Sequence, residues 1–128
     1  MEAGIISYLL AGTAIAAVVG TRVYPVDRPQ GSAFPALTVT RISGGPLYAD
    51  DGEVGLDNGR VQVDCWALTY TGAKDLAALV RARLSAVRDV SGFRYIMLDS
   101  EQDIREGGGN VAEYPFHVSQ DYNVWKDS

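Results

Sequence analysis

One histidine, one cysteine and a few groups of carboxylates are the residues of this 128-residue chain whose chemistry could be put to use. His117 lies in an alternating stretch with no paired cysteine or second histidine, so one chain cannot assemble a four-ligand zinc site around it. It reads as a surface residue of a strand. Cys65 alternates with Val61 and Val63 and reads as a small buried hydrophobe. A single cysteine also excludes an internal disulfide and suits a reducing compartment. Asp50, Asp51, Glu53 and Asp57 share one acidic stretch, the kind that binds calcium when its ligands are correctly spaced. Counting from Asp50 or Asp51 places no glutamate at the twelfth position, so the EF-hand pattern fails and a solvated loop is the better reading. Asp99, Glu101 and Asp103 alternate, which on a regular strand puts all three on one face. Such a stripe could serve acid–base chemistry, but nothing in the sequence supplies the apolar pocket that would shift its pKa values. Solvation or pairing with arginine fits it better. Gly107-Gly108-Gly109 follows charged residues and leads into a strand, not a helix, so it is no phosphate loop. No G-x-S-x-G elbow occurs. The chain therefore offers no catalytic constellation, no cofactor site and no metal site.

The elements that carry these residues follow from apolar spacing. From Arg60 to Val87 the period switches. Val61, Val63 and Cys65 alternate with Gln62, Asp64 and Trp66, as a half-buried strand requires. After Tyr70 the repeat becomes Leu76, Leu79, Val80, Leu84 and Val87, one stripe of an amphipathic helix. Upstream, Ile5, Ile6, Leu9 and Leu10 have helical spacing. Gly12 is a helix stop, and a second short helix capped by Thr13 runs through Val19 to Gly20. This segment could pass for the core of a signal peptide, but its only preceding charge is Glu2, and four polar or small residues interrupt it. A core-packing helix pair is expected. Thr21–Pro35, with three prolines, reads as a surface connection. A strand is expected from Ala36 to Ile42, ended by Gly44-Gly45-Pro46. A second loop spans Leu47 to Asn58, and Asn58-Gly59 turns into the next strand. Phe93–Asp99 reads as a central strand after a Ser91-Gly92 turn. Tyr114, Phe116, Val118, Tyr122 and Val124 form the apolar face of the last strand. The order is helix, short helix, strand, strand, helix, strand, strand. It predicts one α+β domain over residues 1–128, with a four-stranded antiparallel sheet and both main helices on one face. This is not the ferredoxin-like order.

Beyond physics, several motifs resemble one family. V-Q-V-D-C-W-A, then T-Y, then a helix reading A-K-D-L-A-A-L-V-R is similar to the small tail completion proteins of long-tailed phages, prophages and gene transfer agents. The fragments V-G-T-R-V-Y-P (Val19–Pro25), L-D-S-E (Leu98–Glu101) and the closing D-Y-N-V-W (Asp121–Trp125) fall in the same order and spacing. One departure is Gly72, where a better helix former such as glutamate is expected. The resemblance carries no catalytic residue. It implies a tail terminator or tail-to-head joining protein: a structural virion component, assembled in the bacterial cytoplasm, whose six copies form a ring on the finished tail tube. Its partners would be itself, the tail tube protein and a head connector or neck protein. DNA would only pass through, and no membrane is involved.

The composition is compatible with that role. Eleven basic residues against sixteen acidic ones give a net charge of −5, which disfavours binding through phosphate neutralisation. Two long connections without a period are uncommon in compact domains unless they have a function. The expected contact residues are therefore Gly45, Leu47, Tyr48, Asp50, Asp51, Glu53 and Asp57 in one loop, and Arg22, Tyr24, Asp27 and Arg28 in the other. The rival readings are a small ligand-binding or enzymatic α+β domain, with the acidic stripe Asp99, Glu101 and Asp103 or the Trp66–Tyr70 region lining a pocket, and a neck or head-completion adaptor.

Overall fold

A computed structural model of the chain describes residues 2–25, 35–49, 52–85, 87–90, 92–105 and 116–127. Two helices, α1 (Glu2–Leu10) and α2 (Thr13–Val19), precede a short strand β1 (Val23–Pro25). Two long strands follow, β2 (Ala36–Ala49) and β3 (Gly52–Ala67), then helix α3 (Tyr70–Ser85). A short β4 (Arg88–Val90) and two long strands, β5 (Phe93–Arg105) and β6 (Phe116–Asp127), complete the order. The strands form one sheet, β1-β2-β3-β6-β5-β4, antiparallel throughout except that β1 runs parallel to β2.

The expected four-stranded antiparallel sheet is thus the centre of a six-stranded mixed one. The two missed strands are three residues each, too short to display a period of two. β1 is held by its flank: the Arg22 guanidinium donates from Nε to the Pro35 carbonyl at 2.9 Å, and the Leu37 amide donates to the Arg22 carbonyl. β4 needs Asp89 at a φ of +53°, a conformation that sequence does not announce.

All helices lie on one face of the sheet. From α3, Ala73, Leu76, Ala77, Val80 and Leu84 are buried against Val61, Val63, Cys65, Val118, Tyr122 and Val124. Ile5 and Leu9 of α1 and Ile15 and Val19 of α2 close the same core over Leu37 and Val39. Leu79 and Phe116, expected in this contact, sit at its margin and are only partly buried. The helix presents a stripe of small residues, Ala73 and Ala77, which lets the helix backbone approach the sheet closely.

Helix ends are set locally. Gly20, at a φ of +61°, ends α2 as expected. The residue capping α2 is Gly12, not Thr13, and makes no side-chain capping bond. A Cβ on Gly12 would come 2.6 Å from Arg83 Cδ, so the bare glycine leaves room for the Arg83 side chain to lie across this turn. Arg83 then lies over the Tyr8 ring at 3.9 Å and donates from Nε to the Tyr8 carbonyl at 2.7 Å, joining the helix pair to α3. At the other end of α3 the Thr69 hydroxyl accepts from the Gly72 amide at 3.0 Å, an N-cap. A Cβ at position 72 would stand 2.8 Å from that hydroxyl oxygen. The departure from the expected glutamate therefore accommodates this cap.

Candidate assembly surfaces

The stretch expected to be a loop from Gly44 to Asn58 is a β-ribbon. β2 and β3 pair from Ala36↔Trp66 out to Ala49↔Gly52, with register shifts between Arg41 and Ser43 and between Pro46 and Tyr48. β6 accompanies β3 only as far as Leu56↔Asp127, so the last pairs continue past the sheet as two strands alone. Gly45, Leu47 and Tyr48 are in β2, and Glu53 and Asp57 are in β3. Asp50 and Asp51 lie outside the described residues. Asn58-Gly59, expected as a turn, is mid-strand: Asn58 pairs with Gly45 and with Trp125, and its side-chain amide donates to the Val124 carbonyl at 3.3 Å. Glycine and proline weaken strand propensity here, and the pairing partners on both sides override it.

Of the second expected contact group, Arg22 is a structural clamp: besides Pro35, its guanidinium donates to the Val18 carbonyl at 3.3 Å. Tyr24 sits half-buried in β1. Asp27 and Arg28 lie outside the described residues.

The sheet face away from the helices carries a polar cluster that sequence reading did not find. Asp64 is its centre. Gln62 donates from Nε2 to both carboxylate oxygens, at 3.2 and 3.0 Å, and the Thr38 hydroxyl donates to Oδ2 at 3.4 Å. His117 Nε2 lies 3.4 Å from Oδ1. Trp66 closes the cluster: its indole N–H donates to Thr38 Oγ1 at 3.1 Å, and its ring stacks on the imidazole at 4.2 Å. Thr38 is 1% exposed, and Asp64 and His117 are 7% exposed, although no described helix covers this face. His117 is therefore not the surface residue that a lone strand histidine suggests. Burial pushes the Asp64 carboxyl up, but hydrogen bonds from His117, Gln62 and Ser119 outweigh it, and the group titrates below its ordinary value.

The carboxylate stripe Asp99, Glu101 and Asp103 is divided between the two faces. A register shift between Leu98 and Ser100 reverses the alternation there. Asp99 consequently pairs with Arg60 on the helix-free face, where Arg60 also reaches Asp121 at 3.4 Å. Glu101 and Asp103 point to the helix side and meet Lys74 of α3 at 3.7 and 3.1 Å, with the Tyr70 hydroxyl donating to Asp103. The partners are a lysine and an arginine, and the three carboxylates do not act as one group. From Glu101 a buried chain enters the core. Gln120, fully buried, donates from Nε2 to Glu101 Oε1 at 2.8 Å and to the Ala77 carbonyl at 3.0 Å, and its Oε1 accepts from the Tyr122 hydroxyl at 2.9 Å. Burial pushes both the Tyr122 hydroxyl and the Cys65 thiol well up, so neither ionises near neutral pH.

An open groove of about 390 Å³ lies between α2 and the start of α3, lined by Val18, Pro35, Ala67, Leu68, Gly72 and Leu79, among others. Leu68 and Tyr70 beside it are each 51% exposed. Thr69 and Asp75 are the polar side chains in its mainly apolar lining. Among the described residues no three histidine, cysteine, aspartate or glutamate side chains come together as a metal cage. No described helix is long and apolar enough to cross a membrane.

Among its described residues the chain is a one-sided helix-on-sheet module, with a two-stranded ribbon running past the sheet and polar side chains tied to one another. The family model described as Tail completion protein gp17 matches residues 3–127, and the chain belongs to that family of phage tail structural proteins. Thirty-two chains of solved structures match it. One, from a structure titled "Virion of native gene transfer agent (GTA) particle", superposes with a TM-score of 0.73 at 16% identity, covering 100% of this chain and 95% of that one. At that identity the likeness establishes the fold. No curated protein matches the chain.

Proposed function

We propose that the chain caps a tail tube as a ring of six copies. It ends tube polymerisation there and forms the tail side of the joint with a head connector or neck protein. The observation that carries this reading is the family match over residues 3–127, joined to a fold shared end to end with a chain of a virion particle. The role is structural and needs no catalysis, cofactor or metal. A ring of identical copies needs a heterologous contact, one surface meeting a different surface of the next copy. The β2–β3 ribbon suits that need. A two-stranded ribbon is marginal in water on its own and gains stability when it lies on another surface. Assembly takes place in the host cell, and DNA passes through the centre without being bound.

Particles lacking the chain should carry tails of uncontrolled length or heads without tails. Electron microscopy of particles containing it should find six copies at one end of the tail; a stable dimer outside the particle would refute the reading. The triple substitution Asp50→Ser, Asp51→Ser, Glu53→Ser should alter stability by only ~0.5 kcal/mol. Tail length, head joining and DNA delivery scored separately should nevertheless show a defect, and three normal scores would place the working contact away from the ribbon.

A further inference from the structure

We infer that the proposed ring, on which this reading depends, is closed by one contact. The acidic β2–β3 ribbon of each copy lies on the arginine-bearing edge of the next, formed by β4, the start of β5 and the last turns of α3. Charge, placement and symmetry support it.

Charge is segregated along the chain. Residues 44–58 hold Asp50, Asp51, Glu53 and Asp57 and no lysine, arginine or histidine, so four of the five net negative charges belong to this one stretch. Asp57 lies opposite Lys126 of β6, which offsets its charge within the copy. Glu53 lies opposite Tyr48, past the last β6 pair at Leu56↔Asp127, where β6 offers no cation. Near the other edge Arg81, Arg88 and Arg94 are all exposed. Arg81 is two turns on from Lys74, whose bridges to Glu101 and Asp103 put that flank of α3 over β5. Arg94 meets Asp89 at 3.2 Å in a pair whose side chains are 55% and 71% exposed, weak enough to exchange partners. Arg88 donates from Nη1 to the Val87 and Ser85 carbonyls. Among the described residues neither Arg88 nor Arg81 has a carboxylate partner.

Placement follows from the register. Gly45, Asn58, Trp125, Tyr95 and Arg88 are successive partners in one row from β2 to β4. The ribbon leaves the sheet just beyond that row, and Arg88 ends it. Acid and base thus stand near opposite edges but at the same end of the sheet. Copies set side by side in one orientation bring the two together at one height.

Symmetry selects the same contact. A two-fold dimer joined edge to edge would set ribbon against ribbon or arginine against arginine, like charges in either case. Ribbon on arginine edge is heterologous and attractive, and each copy added leaves one surface of each kind open until the circle closes. On the ribbon's own edge the exposed cation among the described residues is Arg41, which lies below Gly45 in β2 and outside the ribbon.

Cross-linking in assembled particles tests the contact. Cys65 is fully buried and does not compete. Within one copy Arg88 stands three strand spacings, roughly 14 Å, from β3, and Glu53 lies farther out along the ribbon. A bis-maleimide shorter than that gap should therefore join Glu53→Cys to Arg88→Cys only between copies. The double variant should give a ladder ending at six, and each single variant should stay monomeric. A ladder ending at two, a link from Glu53→Cys to itself or to a tube or connector protein, or no link in particles that show a six-fold ring overturns the contact and leaves the ring standing. Charge reversal gives a second readout. Glu53→Arg and Arg88→Glu should each lower the yield of six-copy rings about tenfold, and together they should restore it to within about threefold of the parent. Unfolding midpoints of the purified chains check that the variants fold, and where one falls the cross-link decides. Singles without loss, or losses without restoration, overturn the pairing. Parent particles with no six-fold ring would instead bring down the proposed function, and this contact with it.

Discussion

The two faces of the sheet both bury polar side chains, and they do so by different means. On the helix side Gln120 is enclosed by α3, which supplies the Ala77 carbonyl, while Glu101 and the Tyr122 hydroxyl take the remaining bonds. On the open side Asp64 has no helix above it among the described residues; Gln62, Thr38 and His117 surround it, and the Trp66 ring shields His117. Among the described residues this charge is enclosed by side chains alone, four of them from three strands, and one of the four is tryptophan.

The comparison can be broken most severely on the helix side. Leu76→Ala, at a fully buried position, should cost ~2–5 kcal/mol, read as a fall in the denaturant midpoint without a change in slope. Leu79→Ala should cost clearly less, because that side chain stands at the margin of the core. Equal costs would mean that α3 is rotated from the position described.

On the open side, Asp64→Ala removes the shared acceptor of Gln62, Thr38 and His117 and should cost ~1–3 kcal/mol. If it proved neutral, the cluster would be no more than a solvated surface. A smaller effect distinguishes the faces by pH. The Asp64 carboxyl titrates below its unfolded value, so its contribution is fully present above the unfolded pKa of ~3.9 and is lost as pH falls through the lower folded value. Stability measured between pH 6 and about 2 should therefore drop less steeply for Asp64→Asn than for the parent chain. Identical slopes would remove Asp64 from the acid transition. Tyr122→Phe, which deletes one hydroxyl from the helix-side chain, should cost ~0.5–1.5 kcal/mol and leave the pH dependence between 4 and 9 unaltered. The smallest change is expected from Lys74→Ala. Its bridges to Glu101 and Asp103 are largely solvated, and unfolding midpoints should barely move.

How legible these faces were follows from what periodicity can carry. The stripe on α3 and the alternation of β3 spell out their buried sides, because each repeats several times. Gln120 interrupts the apolar face of β6 and was passed over there; only the Ala77 carbonyl and Glu101, far off in sequence, explain a glutamine in the core. His117 and Asp64 read as solvent-facing since nothing local reveals that Trp66 stacks on the imidazole. The Asp99–Asp103 stripe was misjudged for a different reason: a single register shift after Leu98 reverses the alternation that the reading assumed. The ribbon failed similarly. Gly44, Gly45, Pro46 and Asn58-Gly59 carry every local mark of turns, and pairing partners distant in sequence hold them extended. Family resemblance, which integrates order and spacing over the whole chain, proved more informative about identity than any one of these motifs.

The register shifts also govern how two free molecules would meet. Among the described residues, β1 covers β2 only from Leu37 to Val39, and β4 reaches β5 only from Phe93 to Tyr95, so long stretches of both outer strands are left as edges. Those stretches contain the shifts at Arg41/Ser43, Pro46/Tyr48 and Leu98/Ser100. A bent strand cannot template a long main-chain ladder, and this is the device by which open sheets avoid adhering to one another. Copies crowded together before any tail is available are thereby denied the indiscriminate route to amyloid-like stacking. What remains is recognition through side chains, which can wait for the right neighbour.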